Sequence, residues 1–244
     1  MGSEAVVPSP PITFHLTGFK KFHNVTDNPT EVLVRTLRDY LKHRVLPFGA
    51  TIGSCTVLEA AGAGILEFVL DLLGSATTAT TTKKNSDEIN EGEQLESVPE
   101  KSGEAQGQPE VVWVHFGVNS GASRFAVEQR AVNEATFRCP DEMGWQPDGM
   151  PIVVEDGAIS NVRETKLPTS KIVAELVKSG FDAVVSYDAG RFVCNYLYYQ
   201  SLRHAANHGT KCIFVHVPPF TVIHGQIQME FIAALLKIVA TSLA

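Results

Sequence analysis

The chain has 244 residues, of which 44% are hydrophobic and 19% are charged. This length and composition are typical of one soluble domain with a sizeable core. The formal net charge of −7 argues against a nucleic-acid partner, which would require a basic surface, and no apolar run reaches the roughly 18 residues that predict a membrane span.

The N-terminal 11 residues contain three prolines and lack the basic and apolar segments of a secretory signal. We therefore expect residues 1–11 to be a flexible tail and the protein to be cytoplasmic. In that reducing compartment the four cysteines are expected to be free thiols. The sequence has no CxxC pair and no HExxH motif, so neither a metal nor another cofactor is expected.

In chain order, the apolar patterns alternate between strands and helices. Asn28 followed by Pro29 predicts the N-cap and first position of a helix. Its inward face is expected to carry Val32, Leu33, Leu37, Tyr40 and Leu41. Helices are predicted at residues 28–43, 59–73, 168–179, 194–205 and 226–243, and strands at 12–16, 48–54, 111–116, 182–186 and 212–217, with one further extended segment at 124–134.

Residues 74–108 differ in composition from the rest of the chain. They are rich in Thr, Ser, Glu, Gln and Gly and almost lack large apolar side chains. Such a segment buries too little apolar surface to offset its chain entropy, which predicts a disordered insertion in a single domain of residues 12–244. A docking or regulatory role for the insertion is the alternative to a passive surface loop.

Strands that alternate with helices, several of them apolar throughout, predict an α/β fold: a single-domain α/β/α sandwich around a mostly parallel mixed sheet. Ligands bind such sheets beyond the carboxyl ends of the strands. Gly18, Gly117, Asp188 and His216 all lie at or just after predicted strand ends. We therefore expect the following loops to meet at one edge of the sheet.

Cys194 is the first candidate for chemistry. It follows the turn at 188–190 and comes at the beginning of a predicted helix. Unpaired N–H groups and the helix dipole at such a position favour a thiolate, the form in which cysteine is a nucleophile. The alternative is a small buried hydrophobic residue, the common role of a free cysteine.

A cysteine nucleophile needs a base and a group that orients the base. His216, near the end of a buried strand, is the candidate base, and a core histidine is its alternative. Glu128, which lies among apolar residues, is the candidate orienting group, and a surface ion pair is its alternative. His115 is expected to be structural, and His204 and His208 are expected to be solvated.

Two phenylalanines, Phe19 and Phe22, follow the first strand. They lack the GxGxxG spacing of a nucleotide-binding loop. On a loop at the edge of the sheet they could form an apolar slot for a flat ring. Ordinary core packing is the alternative.

Five motifs together resemble one family. They are the segments 17–22 (TGFKKF, with Asn28 and Pro29 after it), 114–118 (VHFGV), 127–133 (VEQRAVN), 186–195 (SYDAGRFVCN) and 214–218 (FVHVP). The chain resembles the type I pyroglutamyl peptidases, cysteine peptidases that remove an N-terminal pyroglutamyl residue from peptides. The loop Gly117-Val118-Asn119-Ser120-Gly121 and the double proline after His216 are more similar to the eukaryotic branch.

The resemblance implies a role for each matching residue. Cys194 would be the nucleophile, His216 the base and then the acid, and Glu128 the orienting carboxylate. The pyroglutamate pocket would be lined by Phe19, Phe22, Phe192, Val193 and the Cys139 side chain. The Val118 backbone would bind the lactam, Asn28 would hold the Phe19 loop, and Arg138 would give electrostatic support.

The family implies peptide substrates with an N-terminal pyroglutamate, no nucleic-acid or membrane partner, and either a monomer or a homo-oligomer. The chain departs from the family pattern at Lys21, His23 and Asn24, around the second phenylalanine. Two other classes remain open on the residues alone. One is an enzyme of different chemistry on the same sheet architecture, such as a nucleoside phosphorylase, and the other is a non-catalytic interaction protein.

Overall fold

A computed structural model describes residues 10–22, 25–62, 65, 71 and 109–244. Most of the predicted helix at 59–73 and all of the insertion at 74–108 lie outside the described residues, as does most of the N-terminal tail. The strands are β1 (Ile12–Phe19), β2 (Thr51–Leu58), β3 (Glu110–Val118), β4 (Phe125–Glu128), β5 (Arg130–Val132), β6 (Glu134–Ala135), β7 (Met150–Pro151), β8 (Val162–Glu164), β9 (Ala183–Ser186) and β10 (Lys211–Val217). The α-helices are α1 (Pro29–Leu41), α2 (Thr169–Lys178), α3 (Val193–His208) and α4 (Gly225–Leu243).

Six strands form the central sheet in the order β2-β1-β3-β10-β4-β9. The first four are mutually parallel, whereas β4 runs antiparallel to β10, and β9 runs parallel to β4. The predicted mostly parallel mixed sheet is confirmed. Two small antiparallel ribbons, β5–β8 and β6–β7, extend from it.

The two faces of this sheet have different coverings. α1, α2 and α4 cover an apolar face whose central residues, such as Phe14, Val114 and Val215, are fully buried. α3 covers the other face, where Trp113, Phe214 and Tyr198 belong to a second apolar cluster. Because side chains alternate along a strand, each central strand serves both clusters.

Local sequence explains three of the helix ends. The Asn28 side chain accepts a hydrogen bond from the Thr30 amide at 3.1 Å, which makes it the N-cap of α1 as predicted. Gly180 and Gly209 follow α2 and α3 with φ of +91° and +70°, values that favour glycine at a helix end.

Two expectations about single elements are wrong. Val32 is 50% exposed, because the buried stripe of α1 runs through residues such as Leu33 and Leu37 and leaves this valine outside. The segment from 124 to 134 is not one extended element. It divides after Glu128, where the chain leaves the central sheet and begins the ribbon strand β5.

α4 is long and apolar enough, by length and composition, to cross a membrane. Six of its apolar residues have no exposed surface because they pack in the core: Phe231, Ile232, Leu235, Leu236, Val239 and Ala240. This helix is a core element of the domain, and its apolar side chains are explained by that burial.

Candidate active site

The four loops meet as expected, although β9 runs opposite to β10. Asp188 and Ala189, which follow β9, line one cavity together with Val118 and His216. The Thr136 amide bonds the Arg191 carbonyl at 3.1 Å, and α3 begins two residues later, with Cys194 as its second residue.

The first turn of α3 is fixed by polar contacts on both sides of Cys194. The Arg191 guanidinium bonds Glu134 at 2.8 Å and Asp188 at 2.7 Å. The buried Asn195 amide donates to the carbonyls of Val132 and Glu134 and accepts from the Val132 amide. The position of the thiol is therefore set by the β5–β6 segment as well as by the helix itself.

Cys194 lies against the backbone of β3. A Cβ atom on Gly117 would come within 2.8 Å of the Cys194 Sγ and of the Phe214 ring. Such a distance is below any ordinary van der Waals contact, so the thiol can occupy this place only because residue 117 has no side chain. The glycine at the end of β3 is thus part of the site.

His216 and Glu128 form a buried pair beside this thiol. His216 Nδ1 lies 2.8 Å from Glu128 Oε1, and the two residues are 7% and 1% exposed. An ionised carboxylate can only accept, so the imidazole donates through Nδ1 and directs Nε2 to Cys194. Burial alone would lower the pKa of His216, but hydrogen bonds to Cys194 and Glu128, with the charges of these groups, outweigh it and raise the pKa to about 10.

This arrangement favours the protonated, imidazolium form of His216. The protonated ring is stabilised by the carboxylate on one side and by sulfur on the other. A thiolate is a strong nucleophile, and a neighbouring imidazolium can protonate a leaving group. The three side chains can therefore carry out acyl transfer.

A cavity of about 340 Å³ opens in front of the thiol. Of the residues singled out from sequence, those that line it are Phe22, Val118, Arg138, Phe192, Cys194 and His216. The Phe22 and Phe192 rings face each other with centroids 6.1 Å apart, and the Arg138 guanidinium carbon lies 5.7 Å from the Phe192 ring centre. The cavity thus has an apolar wall and a cationic group at the same end.

Four of the residues that were expected to line or support the pyroglutamate pocket lie outside this lining. Phe19 and Val193, each 2% exposed, pack in the cluster beneath α3. Asn28 donates from its side-chain amide to the Lys20 carbonyl at 3.0 Å and so holds the loop after β1. Cys139 is a half-buried free thiol that does not reach the cavity surface.

The cavity lining also includes residues to which the sequence analysis assigned no role in binding or catalysis. They are Asn119, Ser120, Gly121, Thr136, Asp188, Ala189, Gly190 and Arg191. Asp188 and Arg191 are charged residues at the turn before Cys194. Their closeness to Cys194 in sequence could have identified them as part of the site. Thr136 reaches the site from a different ribbon, and no local pattern marks it.

The other histidines are placed as follows. His115 is 1% exposed and shares a hydrogen bond with Thr17 at 2.7 Å, as expected of a structural residue, and burial lowers its pKa to about 3. The prediction that His204 is solvated is wrong, since this residue is 7% exposed. Burial, and then the charge of His208, lowers its pKa to about 4.

All four cysteines are free thiols. Within the described ranges, no group of three or more His, Cys, Asp and Glu side chains could hold a metal ion.

These observations define a class: an α/β protein with a cysteine–histidine–glutamate cluster at the wall of a cavity. The family model described as pyroglutamyl peptidase matches residues 93–233, more than half of the chain. The chain belongs to the pyroglutamyl peptidase family.

Curated relatives agree with this assignment. The pyrrolidone-carboxylate peptidase of Pyrococcus furiosus is 38% identical over 107 residues, which are 43% of this chain and 50% of the relative. That of Bacillus cytotoxicus is 37% identical over 128 residues, 52% of this chain and 55% of the relative. The matches span about half the length of these relatives.

Solved structures share the fold over nearly the whole chain. Pyrrolidone carboxyl peptidase from Pyrococcus furiosus has a TM-score of 0.74 at 23% identity, with 96% of this chain and 100% of that chain covered. The enzyme from Fervidobacterium islandicum AW-1 has a TM-score of 0.71 at 20% identity, with 94% and 99% covered. The central sheet and its helices are therefore those of this family.

Proposed function

We propose that this protein is a cysteine exopeptidase that hydrolyses the N-terminal pyroglutamyl residue from peptides. The observation that carries the proposal is His216, which lies between Cys194 and Glu128 at the wall of a cavity that also contains Phe22 and Phe192. Family membership supports this function over phosphorolysis or a purely structural role.

The cavity provides the basis of substrate selection. The pyroglutamyl ring is planar and uncharged, and the Phe22–Phe192 wall offers it apolar contact. A free amino terminus carries a charge that would lose its hydration against these rings, which disfavours ordinary peptides. The backbone of Val118, at the end of β3, is the partner for the lactam.

The chemistry then follows from the buried cluster. The Cys194 thiolate attacks the carbonyl carbon of the pyroglutamyl residue, and N–H groups at the start of α3, including that of Cys194, bind the oxyanion. His216 gives its proton to the leaving amine as the C–N bond breaks. Water, deprotonated by His216, then hydrolyses the thioester and restores the thiolate.

The test is turnover of a fluorogenic pyroglutamyl amide by the Cys194→Ala variant. We expect loss of essentially all activity, because no other group in the site can form the thioester. Cys55→Ala is the matched control, since Cys55 is a half-buried free thiol on β2, away from the cavity. Full turnover by Cys194→Ala would refute the assignment.

We further propose that the protein belongs to the eukaryotic-like branch of the family and acts in the cytoplasm. Support for the branch comes from the Gly117–Gly121 loop sequence and from Pro218-Pro219. A phylogeny that groups the chain within bacterial sequences would contradict the branch, and recovery of the protein in a membrane or secreted fraction would contradict the location.

A further inference from the structure

Tyr198 lies four residues after Cys194, on the same side of α3. Its side chain has no exposed surface. The phenol donates a hydrogen bond to the backbone carbonyl of Glu128 at 2.8 Å. One helix therefore carries both the candidate nucleophile and a group that holds the strand of the orienting carboxylate.

The hydrogen bond from Tyr198 lies where β4, which carries Glu128, pairs with β10, which carries His216. Glu128 of β4 is paired with Phe214 of β10, two residues before His216. The Tyr198 ring lies 5.6 Å from the Phe214 ring. Burial raises the pKa of the Tyr198 phenol well above its usual value, so the hydroxyl stays protonated and continues to donate at alkaline pH.

These contacts link Tyr198 to the three residues of the proposed catalytic cluster. Tyr198 holds the Glu128 backbone, the Glu128 side chain bonds His216, and His216 contacts Cys194 one helical turn before Tyr198. A shift of β4 relative to α3 would therefore change the position of the carboxylate, the imidazole and the thiol together.

We propose that Tyr198 is a positioning residue that sets the geometry of Cys194, His216 and Glu128 through its hydrogen bond to the Glu128 carbonyl. This inference rests on the proposed function. A fully buried phenol must satisfy its hydroxyl at a cost in desolvation, whereas phenylalanine would fill almost the same space without that requirement. The hydroxyl therefore has a role beyond packing.

The next residue in the chain is a matched control. Tyr199 is 1% exposed and donates its own hydrogen bond to Asp156 Oδ2 at 2.7 Å. That bond belongs to a charged cluster with Arg163 and Arg203, which contacts neither Cys194 nor His216. Tyr198→Phe and Tyr199→Phe each remove the hydroxyl of one buried tyrosine from the same helix, and with it the hydrogen bond that this hydroxyl donates.

We expect both variants to fold and to lose about 2–4 °C in Tm, the loss typical of one hydrogen bond in a domain of this size. In Tyr198→Phe, kcat for the pyroglutamyl amide should fall about 10-fold or more, since small displacements of reacting groups are costly. KM should stay within about twofold because the cavity walls are unchanged. In Tyr199→Phe, kcat should stay within about twofold of wild type.

A second measurement does not depend on turnover. The rate of Cys194 alkylation by iodoacetamide, followed by peptide mass spectrometry across pH, reports how much thiolate is present. The profile of Tyr198→Phe should move to higher pH, and that of Tyr199→Phe should match wild type. Equal kcat losses and equal alkylation profiles in the two variants would overturn the positioning role.

If Cys194→Ala stays active, the proposed function itself fails. If Cys194→Ala is inactive and the two tyrosine variants behave alike, only this inference fails.

Discussion

The two faces of the central sheet are built from the same strands but carry different kinds of side chain. On the face under α1, α2 and α4, the residues of the central strands are apolar and buried, as at Leu16, Val114 and Val215. On the face under α3, the alternate residues include Thr17, His115, Glu128 and His216, all buried and polar.

Because of this difference, alternate residues of the same strand contribute either to the stability of the fold or to the chemistry of the site. Burial of apolar side chains contributes favourable free energy of folding on both faces, and it is the main role of the strand residues on the first face. The second face places charged and hydrogen-bonding groups in a region of low dielectric constant, where each costs free energy unless it is paired and where electrostatic effects on a reaction are strongest. Substitutions on the two faces should therefore have separable effects.

The largest effect is expected for Glu128→Gln on the polar face. The neutral amide cannot stabilise the His216 imidazolium and can present either a donor or an acceptor to Nδ1. We expect kcat to fall about a thousandfold or more, as when the carboxylate of a catalytic triad is lost, with Tm changed far less. Steady-state assays on the pyroglutamyl amide and thermal unfolding measure both quantities. Wild-type kcat in this variant would remove Glu128 from the mechanism.

A substitution on the apolar face should reverse this pattern. Leu16 has no exposed surface and lies one residue before Thr17 of the polar face. Leu16→Ala should lower the free energy of unfolding by about 2–5 kcal/mol, because it removes buried methyl groups and leaves a cavity. Urea denaturation measures the loss. The kcat of the folded variant should stay within about twofold of wild type, and a large loss of kcat at full folding would show that the two faces are coupled.

The smallest effect concerns the titration of His216. Its pKa of about 10 in the folded protein exceeds the ordinary value of 6.5, so its protonation stabilises the fold. This contribution is complete below about pH 6.5 and is lost as the pH rises towards 10. Cys194→Ala removes one of the two groups that raise the pKa of His216, so this pKa should fall. The pH range over which protonation of His216 stabilises the fold should then become narrower. NMR titration of the imidazole nitrogens in both proteins tests this, and an unchanged pKa would mean that sulfur does not act on the ring.

Some of this organisation was predictable from local sequence. Asn28-Pro29 predicted the start of α1 because capping depends on neighbouring residues alone. The apolar run in β3 predicted a strand covered on both faces. Cys194 was found because a turn, a helix start and a thiol are adjacent in the chain.

Other features depend on contacts that no local pattern encodes. The direction of β9 is set by pairing with β4, and nothing in its four residues specifies which neighbour it has. The placement of Cys139 outside the cavity depends on how a long loop packs. The role of Tyr198 is visible only when β4 and α3, which are 70 residues apart in this contact, are seen together.

The pairing of β4 with β10 also affects which strand register is stable. Because side chains alternate, a slip of one residue between these strands would turn Glu128 towards the apolar face and leave it without His216. An unpaired carboxylate among aliphatic side chains is strongly disfavoured. The hydrogen bond between residues 88 apart in sequence therefore also discriminates against misregistered sheets, and the residues assigned to catalysis act as a check on correct assembly.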